Sequence, residues 1–190
     1  AGALLGRAPR PDGLADLLTE ECSGGVVLLG WSLGGFHAAR VAAECPEAVG
    51  RLVLVGMRRS YPPDDVDDML CELDRDPAAC LRDFYRRCFL PAQRDDYRWF
   101  RSGPMPDYLE SADVERLREG LTYLREVELT PDALPPVPTT FVHGTRDAVA
   151  PVDDARALAK GSPDATFCAI EDAGHAAFLS NEFRILLDDV

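Results

Sequence analysis

Positive charge is scarce in this sequence, and lysine is nearly absent. Of its 190 residues, 33 are acidic and 20 are basic, and Lys160 is the only lysine. The net charge of −13 would repel the phosphates of nucleic acids and the headgroups of anionic lipids. The composition therefore predicts a protein that binds neither nucleic acid nor a membrane surface.

Long hydrophobic runs are also missing. The longest nearly uninterrupted apolar stretch, residues 26–31, is far shorter than the roughly 20 residues that a membrane-spanning helix needs. Hydrophobic residues nonetheless make up 46% of the chain and charged residues 28%, which is typical of a globular protein. The length suits a single domain with one ordinary core.

The cysteines form no recognisable metal-binding or paired pattern. The six residues include no C-x-x-C pair and no Cys-x-His spacing: Cys22, Cys45, Cys71, Cys80, Cys88 and Cys168. We interpret them as reduced thiols of a cytoplasmic protein rather than as disulfides. We expect no zinc site and no other metal or organic cofactor.

Four short apolar runs predict the strands of a parallel sheet: residues 26–29, 52–55, 139–142 and 166–170. Each run is continuous rather than alternating, which is typical of strands covered on both faces. Helical patterns at Leu33–Glu44 and from Pro151 to Gly161 lie between successive runs. This order predicts right-handed crossovers and an α/β fold.

Two further regions are predicted to be helical. Residues 61–131 carry no strand-like run, and their apolar stripes predict a helical insertion over one end of the sheet. One stripe follows Asp76 as N-cap, and a later one ends at Val127. A last helix follows Ser180 as N-cap and places Phe183 and Val190 on its apolar face. The chain thus divides into core segments 1–60 and 132–190 around the insertion 61–131.

A G-x-S-x-G pattern follows the first predicted strand and leads directly into a helix. In the order Gly30-Trp31-Ser32-Leu33-Gly34-Gly35, this context predicts a nucleophile elbow with Ser32 exposed at its tip. A side chain at Gly30 or Gly34 should clash, because strand and helix approach closely there. We expect the backbone N–H of Leu33 to stabilise an oxyanion and Trp31 to line the pocket. The alternative is a glycine-rich turn with an ordinary serine cap.

A serine nucleophile needs a general base, and the sequence has three histidines. His37 follows Ser32 too closely on the same helix to reach its hydroxyl. His143 ends the third predicted strand and is interpreted as a strand-end hydrogen-bonding residue. His175 lies in the loop after the last strand, where open α/β sheets place their chemistry. His175 is therefore the predicted base.

Asp147 is the predicted acid that orients the base, because it lies just beyond the carboxyl end of the third strand. The competing residues are Asp153, Asp154 and Asp172. The first two open a helix, where carboxylates favour the positive end of the helix dipole. The chain order Ser32, Asp147, His175 is that of α/β hydrolases.

On these motifs the sequence resembles the α/β-hydrolase family. Within it, the elbow, Pro104-Met105-Pro106 and residues 120–129 resemble the pimeloyl-acyl-carrier-protein methyl ester esterases of biotin synthesis. The resemblance implies that Ser32 attacks an ester carbonyl, His175 shuttles the proton and Asp147 holds the imidazole. It also implies a small ester substrate, which in that subfamily is linked to an acyl carrier protein.

The sequence departs from the family in its amino-terminal part. The family has several strands before the elbow, and the loop after one of them donates the second oxyanion N–H. Here only 25 residues precede the first predicted strand. We therefore expect that the amino-terminal strands are missing from this chain and that residues 26–29 form a bare hydrophobic edge.

Arginines are concentrated within the predicted insertion. Residues 75–101 contain seven arginines and four aspartates, which makes this segment locally positive. One interpretation is a solvated helix face with ion pairs between successive turns. The other is a docking surface for an acidic partner such as acyl carrier protein, formed by Arg82, Arg86, Arg94 and Arg98.

Several activities share this triad. A thioesterase, a lactonase or a carbon–carbon bond hydrolase of the same fold is the alternative to an esterase. A dehalogenase is disfavoured because the nucleophile position holds Ser32 rather than aspartate, and peroxidase-like members are less favoured than esterases. From a different class, the chain could be a catalytically silent binding domain on the hydrolase scaffold.

Overall fold

The structure is a computed structural model that describes Leu18 and residues 25–188. Its sheet contains the strands β1 (Val26–Trp31), β2 (Val49–Val55), β3 (Thr139–Gly144) and β4 (Ala165–Ile170). They lie in the order β1-β2-β3-β4, and every neighbouring pair is parallel. The predicted α/β fold with a parallel sheet is therefore confirmed. Cys22 and Val190 lie outside the described residues, so the interpretations given for them stay predictions.

The strand registers bring the carboxyl ends of all four strands to one edge of the sheet. Trp31 pairs with Val55, and Val55 pairs with Val142. At the far side, Gly144 pairs with Ile170. The loops that follow these residues therefore meet above the same edge, where ligands bind in open α/β sheets.

The two inner strands are buried as expected, whereas β1 is not. β3 is buried along its whole length, and the last four residues of β2 are buried as well. On β1, however, Val27 is 50% exposed and Leu29 is 42% exposed. The expectation that every strand is covered on both faces is therefore wrong for the two outer strands of the described sheet, β1 and β4. The exposed apolar side chains of β1 agree with the hydrophobic edge expected at residues 26–29.

Helices of the predicted length connect the strands. Helix α1 (Leu33–Glu44) has the predicted bounds and ends where Pro46 follows the Cys45 C-cap, since proline cannot continue a helix. Helix α7 (Val152–Lys160) begins after Pro151 and ends at Gly161. The last helix, α8 (Asn181–Asp188), is preceded by Ser180, whose hydroxyl accepts the Phe183 N–H at 3.1 Å.

Five helices lie between β2 and β3: α2 (Pro63–Arg75), α3 (Pro77–Arg87), α4 (Arg94–Ser102), α5 (Pro104–Glu110) and α6 (Val114–Glu126). Helix α2 packs against both α3 and α6. The side chain of Asp76 accepts the Ala79 N–H at 2.9 Å, so the predicted N-cap is confirmed. Val127 lies one residue beyond α6, where it still packs against the core.

The core lies on both faces of the sheet because side chains alternate along β2. Leu52 and Leu54 pack with Phe36 and Val41 on one face. Val53 and Val55 pack with residues of β3, β4 and α8 on the other face. Each such buried side chain contributes about 1.5–3 kcal/mol, and together they fix the sheet that carries the loops.

Among the described residues, no helix combines the length and the apolar character that crossing a bilayer requires. Cys45, Cys80 and Cys88 are buried free thiols, Cys168 is half-buried and Cys71 is exposed.

Candidate active site

Ser32 occupies the sharp turn between β1 and α1. Its backbone has φ 53° and ψ −125°, a conformation that costs a non-glycine residue roughly 1–3 kcal/mol. The Ser32 N–H donates to the Val55 carbonyl at 3.0 Å, and the Gly35 N–H donates to the Ser32 carbonyl at 2.8 Å. The side chain makes no capping hydrogen bond to α1, so the alternative of an ordinary serine cap is wrong.

The glycines of the elbow do not all have the same role. A Cβ atom on Gly30 would lie 2.5 Å from the Gly34 carbonyl oxygen and 2.8 Å from the Ala38 Cβ, so the expected clash is confirmed there. On Gly34, an added Cβ would meet no atom of its described surroundings within 4 Å. The expected clash at Gly34 is therefore wrong. On Gly35 the Cβ would instead collide with the side chain of Met57.

Asp147 and His175 form a buried pair across the loops that follow β3 and β4. Nδ1 of His175 lies 2.8 Å from Oδ2 of Asp147, and neither side chain has exposed surface. Oδ1 of Asp147 accepts the N–H groups of Val149 at 2.8 Å and Ala150 at 2.9 Å. The structure therefore brings together the predicted acid and the predicted base.

The electrostatics of this pair fix the proton on the histidine. Burial would raise the pKa of Asp147, but hydrogen bonds from His143 and His175 outweigh burial and hold that pKa well below its usual range. An ionised carboxylate can only accept, so Nδ1 of His175 carries the proton that it donates to Asp147. Nε2 is then the basic atom of the ring, and it is buried with no hydrogen-bond partner among the described residues.

His143 lies on the other side of the same carboxylate, a contact that the sequence reasoning missed. Its Nε2 is 2.8 Å from the Ala150 carbonyl and 3.3 Å from Oδ2 of Asp147. The strand-end interpretation of His143 therefore holds, with a second contact to the acid. The spacing of four residues between His143 and Asp147, across the turn that follows β3, was the sequence feature that could have indicated this contact.

The remaining candidates have other partners. His37 stacks on Tyr123 with ring centroids 5.0 Å apart, so it belongs to the packing of α1. Asp153 pairs with Arg156, Asp154 accepts the Arg59 N–H, and Asp172 pairs with Arg146 at the surface. Of the four aspartates considered, Asp147 is the one that contacts His175.

Tyr61 interacts with Ser32, although no pattern in the sequence singled it out. Burial raises the pKa of the Tyr61 hydroxyl, while its interaction with Ser32 and the charge of Arg58 oppose that rise. The Arg58 guanidinium lies 4.9 Å from the centre of the Tyr61 ring. Both residues follow β2 closely. Their position just beyond the end of a strand was the one feature of the sequence that indicated a place near the site.

Trp31 touches the histidine loop as well as the pocket. Its Nε1–H donates to the His175 carbonyl at 2.9 Å, and the two rings lie 5.2 Å apart. Gly56, which directly follows β2, has φ +60° and passes close beneath both rings. Leu33, which follows Ser32, begins α1, so its N–H points out of the helix N-terminus.

A cavity of about 630 Å³ opens beside Ser32. Trp31, Leu33 and Tyr61 line the end near the elbow. Most of the remaining wall comes from α2, α3 and α6, which contribute apolar side chains such as Phe84 and charged side chains such as Glu72. A cavity with a largely apolar wall and several charged groups suits a small organic substrate.

The four predicted docking arginines are all exposed on α3 and α4. Arg86 pairs with Asp83 at 3.1 Å and Arg98 pairs with Asp95 at 2.9 Å, each within one helical turn. These pairs agree with the interpretation of a solvated helix face for two of the four. For Arg82 and Arg94, the structure shows that both residues are exposed.

Comparison with known proteins places this geometry in a family. The sequence matches the Alpha/beta hydrolase family over residues 4–185. The chain belongs to this family. The chain is therefore an α/β hydrolase, and its relatives include named esterases and hydrolases.

Three relatives illustrate the similarity. The chain is 32% identical over 211 residues to a pimeloyl-[acyl-carrier protein] methyl ester esterase of Aromatoleum aromaticum, an alignment that covers 100% of this chain and 83% of the relative. An esterase from Exiguobacterium antarcticum superposes with a TM-score of 0.78 at 20% identity, covering 94% of this chain and 70% of the esterase. A bromoperoxidase from Bacillus anthracis gives a TM-score of 0.79 at 20% identity, covering 95% and 73%. The two structures share the fold alone with this chain.

Proposed function

We propose that this α/β hydrolase is a serine esterase in which Ser32, His175 and Asp147 act as the catalytic triad. The observation that carries the proposal is the state of the His175 ring. Its Nδ1 is tied to the ionised Asp147, while Nε2 is buried and unpartnered among the described residues. A basic nitrogen held out of water, at the same edge of the sheet as a strained serine, suits general-base catalysis.

In the first step, Oγ of Ser32 attacks the carbonyl carbon of the ester while Nε2 of His175 takes the hydroxyl proton. Nε2 of His175 has no hydrogen-bond partner among the described residues, so the Ser32 side chain must first turn towards the histidine. The carbonyl oxygen becomes an oxyanion, and the N–H of Leu33 at the start of α1 donates to it. Asp147 stabilises the imidazolium that forms.

Collapse of this intermediate releases the alcohol, which leaves with the proton from Nε2 of His175. The acyl group then remains as an ester on Ser32. A water molecule gives its proton to Nε2 and attacks the acyl carbon, and a second collapse returns the proton to Ser32. The products are a carboxylic acid and an alcohol, and these steps use only water and side chains of this chain.

The substrate that we propose is an ester with an elongated apolar acyl chain, such as the methyl ester of pimeloyl-acyl carrier protein. The apolar cavity beside Ser32 supports this class, and the name of the 32% identical relative supports the specific ester. In this proposal, the helical segment 61–131 acts as a lid over the core segments 1–60 and 132–190. The five free cysteines of the described chain support a reducing compartment such as the cytoplasm.

A fluorophosphonate probe tests the triad directly, because it reacts covalently only with an activated serine. We expect one adduct on Ser32, none in the Ser32→Ala variant, and a labelling rate that drops at least about 100-fold in His175→Ala. An unlabelled, folded wild-type protein would contradict the esterase proposal and favour a silent binding domain. Hydrolysis of aryl esters of increasing acyl length then tests whether the cavity binds the acyl chain of the substrate.

The arginine surface is a separate part of the proposal, formed by Arg82, Arg86, Arg94 and Arg98. Acyl carrier proteins are acidic, so exposed guanidinium groups on the helical segment would steer them. The double reversal Arg82→Glu with Arg86→Glu should weaken hydrolysis of a carrier-linked ester and spare a small ester.

The matched control for charge is Lys160→Glu with Arg184→Glu, two exposed residues on α7 and α8. This control changes the net charge by the same amount at another surface and should leave both substrates unaffected. Equal losses on both substrates in the Arg82 and Arg86 variant would contradict a docking role.

A further inference from the structure

The backbone on both sides of His175 is held by the turn between α3 and α4. The Gly174 N–H donates to Oε1 of Gln93 at 2.9 Å, and the Ala176 N–H donates to the Cys88 carbonyl at 3.0 Å. These contacts join residues that are more than 80 positions apart in sequence. The histidine loop is therefore attached to the helical segment as well as to the core.

Gln93 has a geometry that suits this contact. Its Oε1 also accepts the Leu90 N–H at 3.1 Å, so the same oxygen also caps the short helical turn of residues 91–93. Because that second bond fixes the side chain, the oxygen is held ready for the Gly174 N–H. A Cβ on Gly174 would lie 3.2 Å from this oxygen and 2.8 Å from the Cys88 carbonyl oxygen, so glycine is required for the approach.

We propose that Gln93 is a positioning residue for the base: its side-chain oxygen sets the place of the His175 loop and couples that loop to the helical segment. This inference rests on the proposed role of His175 as general base. Among the described residues, Asp147 is the hydrogen-bond partner of the ring, and Trp31 holds the His175 carbonyl. The backbone contacts at 174 and 176 add restraint on both sides of the histidine.

The expected size of the effect follows from how strictly proton transfer depends on distance. A misplacement of about 1 Å in a catalytic group can cost on the order of 100-fold in rate. Removing the Gln93 acceptor leaves two N–H groups, of Gly174 and Leu90, without this partner. A loss of about 10-fold to 100-fold in kcat with little change in KM is the expected result.

Two substitutions separate positioning from simple support of the fold. Gln93→Leu keeps the approximate shape and removes the acceptor. Gln93→Glu keeps an acceptor for both N–H groups and adds a negative charge near His175, which favours the imidazolium form. The control on the same turn is Ala92→Leu, at an exposed position.

The experiment measures kcat, KM and melting temperature on a small aryl ester, with kcat/KM followed from pH 5 to 9. We expect Gln93→Leu to lose kcat, Ala92→Leu to match the wild type, and Gln93→Glu to recover most of kcat. The acidic limb of the Gln93→Glu profile should move to higher pH. A Gln93→Leu protein with wild-type kcat, or a Gln93→Glu profile that does not move, would overturn the inference.

The same experiment distinguishes this inference from the proposed function. If wild-type protein neither reacts with a fluorophosphonate nor hydrolyses the ester, the esterase proposal fails, and the role of Gln93 in it fails as well. If the wild type is active and the Gln93 variants change only the melting temperature, Gln93 supports the fold and the positioning role alone is wrong.

Discussion

A Cβ atom on Gly56 would lie 3.0 Å from both Cε1 and Nδ1 of the His175 ring. Gly56, the first residue after β2, thus lies directly against the ring of the proposed base. Its φ of +60° is also a conformation that residues with a side chain rarely adopt. Space and backbone conformation both require glycine here.

Gly56→Ala should therefore impair activity more than stability. The left-handed backbone costs the alanine about 1–2 kcal/mol, which lowers the melting temperature by several degrees. The added methyl group should push His175 away from Asp147 and reduce kcat at least about 10-fold in the folded protein. Ester hydrolysis at a temperature where unfolding is negligible measures this, and a variant with full kcat would contradict it.

Two elbow glycines should respond in opposite ways to the same substitution. Gly30→Ala forces a methyl group against the backbone of Gly34 and should destabilise the protein by about 1–3 kcal/mol. Gly34→Ala finds open space in the first turn of α1 and should be neutral or stabilise by up to about 1 kcal/mol. Urea unfolding of the pair measures both values. Equal destabilisation by the two variants would contradict the described packing.

Asp147 should make stability depend on pH in the acid range. Because its folded pKa lies well below its usual value, ionised Asp147 stabilises the fold above about pH 4. This contribution is lost as the pH falls towards the lowered pKa. The free energy of unfolding should therefore decrease less steeply below pH 4 in Asp147→Asn than in the wild type.

The matched control for Asp147 is Asp153→Asn, since Asp153 is an exposed aspartate that pairs with Arg156 at the surface. This variant should keep the wild-type slope between pH 5 and pH 2.5 in urea unfolding. Parallel curves for Asp147→Asn and the wild type would show that the buried carboxylate is not the source of the slope.

Tyr61→Phe should speed the first chemical step modestly. The variant removes an interaction with Ser32 that competes with the turn of Ser32 towards His175. Loss of an interaction of about 1 kcal/mol corresponds to a rise of up to about fivefold in labelling by a fluorophosphonate. Tyr108→Phe, on α5, is the control and should change nothing. A tenfold decrease in Tyr61→Phe would instead assign its hydroxyl to the stabilisation of the oxyanion.

Features that depend on neighbouring residues could be predicted from the sequence. The bounds of α1 follow from its alanine-rich stretch and from Pro46, and the Asp76 cap follows from the Asp-Pro pair. The approach of Asp147 to His175 was also predictable, because both follow strands whose carboxyl ends must meet at one edge of the sheet.

Features that depend on distant residues could not be predicted in the same way. Nothing in the local pattern of Gln93 or Tyr61 indicates which loop each will contact. The expected clash at Gly34 was wrong because only Gly30 and Gly35 face the packed side of the elbow. The exposure of Val27, by contrast, agrees with the bare hydrophobic edge expected at residues 26–29 from the family resemblance, which the apolar run alone does not specify.

The indole of Trp31 is an intrinsic fluorescent probe next to His175. The chain has two tryptophans, and the other, Trp99, is 57% exposed on α4. Since Trp31 bonds the His175 carbonyl and lies against its ring, its emission depends on where the loop sits and on the charge of the imidazole. In a Trp99→Phe background, intrinsic fluorescence would follow the histidine loop through titration and substrate binding without any added label.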